Sequence, residues 1–334
     1  MILMMACLPA PPKEPVQSTA AATESTETSG TSGTSGSTGV EPVPAGPPTP
    51  YGFWGLNGFV NPAGLETVKK RIGLTIFQVA TSDPRYAVGT LLPMVRNAHL
   101  LVTLRLPADH DAYTSAQGDF DLTAWKVQVS RWENSGIQAF IDDGTLVGHM
   151  LLDDIANFPG RDPDAADLEE MARYSKELMP GLMTFVRQKA SAMPVPVDGK
   201  YHWVDAQVNQ YEVREGAVDL YAANEEAHAM QLGLGMINGL NIADGGDGSS
   251  GQAGYRARHF AMSATEIGRY GAVLAKVPSC GMFLNWEYDN EEKWNDGTIG
   301  AEYFARPDLQ SALLDLGLLV ARHPPVTLLK PAAD

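Results

Sequence analysis

Four apolar runs in this chain end in carboxylates or amides: HMLLDDIANF (149–158), YHWVDAQVNQY (201–211), GLNIADGGDG (239–248) and CGMFLNWEYDN (280–290). Carboxylates gathered at one end of neighbouring strands can share acid and base work. A pair facing across a cleft cleaves a glycosidic bond when one carboxyl group delivers a proton and the other acts as nucleophile or as base on water. The candidate pairs are Asp154 with Glu287 and Asp205 with Glu287. A neighbouring arginine would hold one carboxylate ionised, and burial against tryptophan would favour the proton on the other.

Such groups need elements to position them. YGFW, LTIFQVA, HLLVTLRLP, TLVGHMLLDDI, LMTFVRQKA, YHWVDAQVNQY, GMINGLNIADGG and CGMFLNWEYD read as strands, separated by amphipathic stretches of helical period. LMTFVRQKA is the weakest of them, since it also reads as helix. About eight strand–helix units in one length of chain predict a single (β/α)8 TIM barrel over residues 51–326, with its site at the carboxyl ends of the strands. A doubly wound open sheet would more often carry a glycine-rich phosphate loop after its first strand, and none is present.

Strand side chains alternate with period two. On that rule Asn57, Gln78, Arg105, Arg187, Trp203, Asp205, Gln207, Asn209, Phe283, Asn285 and Glu287 face the lumen. Ala206, Val208, Met282, Leu284 and Trp286 face the helices. The expected site therefore holds Asp154, Glu287 and Asp205 as catalytic carboxylates. Asp153, Arg105, Arg187, Gln207, Asn241 and Asn57 would orient substrate or tune charge, and Trp54 and Trp203 would offer rings to sugar faces, as would Tyr211, Trp286, Tyr288 and Trp294. The competing reading is an ion-pair network that only closes the barrel top. The loop ADGGDGSSGQAG reads as a mobile substrate loop rather than a metal site, because its spacing does not match a calcium loop.

The formal charge of −16 argues against nucleic acid, whose phosphates need a basic footprint, and fits neutral or cationic ligands. His149, His202 and His259 lack ligand-like spacing, so no metal or other cofactor is expected. No Gly-x-Ser-x-Gly elbow is present, and Cys280 begins a strand, the wrong end for a barrel nucleophile. Residues 1–7, MILMMAC, read as a truncated lipoprotein signal with lipid on Cys7, although the apolar run is short and carries no preceding Lys or Arg. Residues 8–50 are rich in Ser, Thr, Gly and Pro and read as a disordered tether. Together these predict an exported, lipid-anchored or secreted protein.

MLLDDIANF (150–158) resembles the fourth-strand end of clan A glycoside hydrolases, an apolar run followed by Asn-Glu. Asp153 stands at the Asn position and Asp154 at the acid/base Glu position. Asn285-Trp286-Glu287 resembles that clan's aromatic last strand. The resemblance implies a (β/α)8 barrel acting on carbohydrate. Two departures stand against it: Asp replaces Glu at 154, and the seventh strand ends Asn241-Ile242-Ala243-Asp244 where the clan carries its nucleophilic Glu. The globular part also resembles a group of exported bacterial barrel proteins sharing LLDDI, GLN-(I)-xDGG and WEYD-like segments, which implies a fold and a site but no activity. The expected function is hydrolysis of a glycosidic bond. The alternatives are a carbohydrate-binding surface protein without catalysis, or another barrel reaction such as a lyase or isomerase.

Overall fold

The computed structural model describes residues 47–56, 59–288, 293–324 and 326–330. The expectations for Cys7, for the signal at 1–7, for most of the tether at 8–50 and for Asn57 lie outside the described residues. Eight parallel strands close into a barrel in sequence order: β1 (Tyr51–Trp54), β2 (Ile76–Ala80), β3 (Leu101–Arg105), β4 (Leu146–Asp153), β5 (Met183–Arg187), β6 (Ala206–Tyr211), β7 (Gly235–Leu240) and β8 (Cys280–Asn285). β8 pairs back onto β1. The fifth run is indeed a strand, and the fold is the (β/α)8 barrel that the alternation predicts.

The intervening helices start where the chain supplies caps. Asn61 Oδ1 accepts from Gly64 N ahead of the helix Pro62–Ile72. Asp164 and Asp167 form a reciprocal cap on Ala165–Leu178, as Ser263 and Glu266 do on Ala264–Leu274. Each cap satisfies backbone donors that would otherwise lack partners at a helix start.

Two apolar cores result. The larger lies between strands and helices. The smaller fills the lumen with Ile76, Met150, Phe185, Val208, Ile237 and Leu284, among others. Leu328 joins it from below, beside Met183 and Met282.

The lumen corrects the expected facing of β6 and β8. Ala206, Val208, Met282 and Leu284 point inward, and Phe283 belongs to the outer core. Gln207 and Asn209 lie on the helix side, where Asn209 Oδ1 accepts from Ala190 N, beside the helix-side loop after β5. Asn285 is spent on backbone: its Oδ1 accepts from Leu240 N and its Nδ2 donates to Gly52 O. The lower lumen of an eight-stranded barrel is a packed apolar core, so small and apolar side chains win the inward positions there. Charged residues face inward near the strand ends, as Arg105 and Arg187 do.

Candidate active site

The carboxyl end of β4 carries the centre of the site. Asp153 ends the strand and receives two guanidiniums: Arg105 Nη1 donates to its Oδ2 at 2.7 Å, and Arg187 Nε donates to its Oδ1. Register makes the second contact inevitable, because Asp153 lies directly opposite Arg187 on β5. Arg187 also reaches Asp154, with Nη2 2.7 Å from Oδ2. Burial works against the Arg187 charge, but the carboxylates of Asp153 and Asp154 outweigh it and hold the guanidinium above its usual range.

Asp154 leaves the strand with φ +61° and ψ 110°. A non-glycine residue there is strained by about 1–3 kcal/mol. The strained turn aims the Asp154 side chain into the mouth, while its N–H still donates to Arg187 O at 3.2 Å.

A second group comes from the ends of β6 and β7. Glu212 follows β6 directly; Asn241 Nδ2 donates to its Oε2 at 3.3 Å and Arg214 Nε donates to its Oε1. Asn241 follows β7, and its Oδ1 accepts from Asp244 N at 3.1 Å. Arg256 Nε donates to Asp244 Oδ2 at 2.7 Å. Both groups border one cavity of about 200 Å³, whose walls include Asp154, Arg187, Gln210, Glu212, Asn241 and Arg256. A larger cavity of about 1050 Å³ opens beside Ser82, Asp83 and Arg131. Its one carboxylate, Asp83, is occupied in capping a helix turn, so paired-carboxylate chemistry belongs to the smaller space.

Of the expected site residues, the structure brings Asp153, Asp154, Arg105, Arg187 and Asn241 together. Trp54 ends β1 facing the lumen, deeply buried. Glu287 follows a cis Trp286–Glu287 peptide and stands beside Gly55, where a Cβ would lie 2.8 Å from its Oε2. It is at the β1–β8 seam and does not border the cavity.

Asp205 is a correction. It precedes β6, at the opposite end of the barrel, fully buried, and accepts from Lys176 Nζ at 2.7 Å, Thr184 N at 2.7 Å and Lys330 N at 2.8 Å. Trp203 sits at that same end, with its N–H held by Glu169. Gln207 faces the helices. Tyr211, Tyr288 and Trp294 are core residues, closed to a ligand. The glycine-rich loop is tied down at both ends, by Gly246 N to Phe260 O and Gly254 N to His259 O, each at 2.8 Å.

The sequence reading missed Glu212, Arg214, Arg256 and Lys189. A signal for Glu212 existed: it follows an apolar run just as Asp153 does. It also passed over His110, in the loop after β3, whose ring packs on Phe158 at 4.3 Å. Burial lowers the His110 pKa and Arg105 lowers it further, against the pull of Asp111 and Asp153.

No protein-family model and no curated protein sequence matches the chain. Solved structures do. A cellulase in an inhibitor complex superposes with a TM-score of 0.51 at 10% identity, over 81% of this chain and 92% of that one. Endo-glycoceramidase II from Rhodococcus sp., in a cellobiose-like imidazole complex, gives 0.50 at 12% identity, over 80% and 78%. At such identity the likeness is one of fold, a (β/α)8 barrel.

Proposed function

We propose that this chain takes a saccharide at the barrel mouth and hydrolyses a glycosidic bond there, with Asp154 and Glu212 as the carboxylate pair. The observation that carries the reading is that these two side chains, from the ends of β4 and β6, border one cavity. Asp154 is the side chain to deliver a proton to the leaving oxygen. Glu212, oriented by Asn241 and Arg214, is the side chain to attack the anomeric carbon or to activate water. Arg187 and Gln210 orient the sugar between them. The glycoside hydrolases that share the fold support a carbohydrate as ligand.

A second reading, binding without cleavage, has its own support. Asp153, Asp154, Glu212 and Asp244 each already meet a guanidinium. A general acid must arrive protonated, which apolar surroundings favour and cations oppose. Asn241 also stands where the clan's seventh-strand carboxylate would be.

A polysaccharide panel separates the two readings. Under the first, the wild-type chain releases sugars, while Asp154→Asn and Glu212→Gln lose release by about a hundredfold or more and keep binding. Binding without release in all three proteins establishes recognition alone. We also propose, from the composition of residues 1–50, that the barrel is displayed outside a bacterial cell by lipid on Cys7. Mass spectrometry of the protein from its membrane fraction, with Cys7→Ser as control, checks this.

A further inference from the structure

We propose that the saccharide recognised at this mouth is acidic, held through a carboxylate or sulfate group by Arg214 and Arg256. The inference rests on the carbohydrate reading above and names its substrate class. Both arginines border the cavity, and both are fixed at the stem: Arg214 Nε on Glu212, Arg256 Nε on Asp244. Their outer nitrogens are not committed. Among the described residues Arg214 Nη1 and Nη2 have no hydrogen-bond acceptor, and the nearest carboxylate to Arg256 Nη2 is Glu212 at 3.8 Å, beyond hydrogen-bond reach. A guanidinium anchored through Nε presents its Nη pair as a preorganised fork, and that fork matches the two oxygens of a carboxylate or sulfate.

Two further observations point the same way. Gln210, which lines the same cavity, has a buried Nε2 with no acceptor, a donor left unmatched by the protein. The wall also carries a net positive charge, with Arg187, Lys189, Arg214 and Arg256 against Asp154, Glu212 and Glu215. The chain's overall charge of −16 does not oppose such a ligand at contact, because salt screens charges beyond roughly 8 Å at physiological ionic strength.

The test is calorimetric titration of the full chain with tetrasaccharides of galacturonate, glucuronate and mannuronate, with their methyl esters, and with sulfated counterparts. The ester keeps the backbone and removes the charge. At least one free acid or sulfated sugar is expected to bind about tenfold or more tightly than its neutral form, the preference shrinking as salt rises. Which class shows it identifies the anion. The preference should vanish in Arg214→Gln/Arg256→Gln and fall sharply in Arg214→Lys, which keeps charge but loses the fork; circular dichroism confirms that each variant is folded. Equal binding of acids and esters overturns the acidic specificity and leaves the carbohydrate reading standing. Binding of none of these, nor of the neutral polysaccharide panel, overturns both.

Discussion

Asp154 and Asp153 are neighbours with opposite duties. Asp153 bridges Arg105 and Arg187, and its loss leaves two part-buried guanidiniums facing each other. Complete burial would make that cost about 3–5 kcal/mol; with the carboxylate 29% exposed, solvent screening brings it to about 2 kcal/mol for Asp153→Ala, read by urea unfolding. Asp154 contributes little to stability, since its pair with Arg187 is 42% exposed on the carboxylate side. Its backbone is the costly part. Asp154→Gly relieves the φ of +61° and should raise stability by about 1 kcal/mol while abolishing sugar release. A loss of stability in that variant would mean that the carboxylate's pair with Arg187 outweighs the strain of the turn.

At the scale of elements, the two ends of β6 do different work. Asp205, just before the strand, gathers Lys176 from the helix Ala165–Leu178, Thr184 from β5 and the backbone of Lys330. It clasps the chain's closing segment under the barrel while Leu328 plugs the lumen. Asp205→Ala should cost about 3–5 kcal/mol, because a buried ammonium and backbone donors lose their acceptor, yet leave the mouth's sugar affinity unchanged in the folded fraction. A change in affinity comparable to that in Asp154→Asn would return Asp205 to the site. This residue also marks how far the sequence could be read. The strand–helix alternation disclosed the barrel, and the lone polar residue ending β3 and β5 disclosed Arg105 and Arg187. On β6 the alternation was visible but its direction was not: Asp205, Gln207 and Asn209 look like a lumen lining only if polar means inward. Here the lower lumen is apolar, Asp205 is spent on the barrel floor, and Gln207 and Asn209 face the helices. That reversal drew attention to Asp205 and Gln207 and away from Glu212. Glu287 lies beyond the reach of the alternation: β8 ends at Asn285, so its period says nothing about a side chain two residues on.

For the whole molecule, the acid limb of stability traces to one histidine that fixes β4 behind the site. His149 is fully buried, stacked on Trp125 at 5.9 Å between ring centres. Its Nε2 lies 2.8 Å from Leu106 O, which can only accept, so the proton sits on Nε2 and Nδ1 accepts from Ser175 Oγ at 2.7 Å. Burial pushes its pKa down to about 4, against a smaller upward pull from the Leu106 carbonyl. Between pH 6.5, the ordinary value, and about 4, the unfolded chain therefore binds a proton that the folded chain refuses. Stability must fall as pH drops through that window, by about 3 kcal/mol in all, and this residue adds no slope above it. The Glu170 carboxylate, held down to about 2 by Arg173 and Lys126, gives up its stabilisation only at lower pH, as acid protonates it below its usual 4.5. Urea unfolding from pH 7.5 to 4.5 should thus show a slope approaching one proton in the wild type. His149→Gln keeps one donor and one acceptor and should flatten that slope, at lower absolute stability. The His110 pKa is also lowered by burial. A slope that persists in His149→Gln and disappears in His110→Asn would move the acid sensitivity from behind β4 to the loop beside Arg105, and would couple it to the site itself.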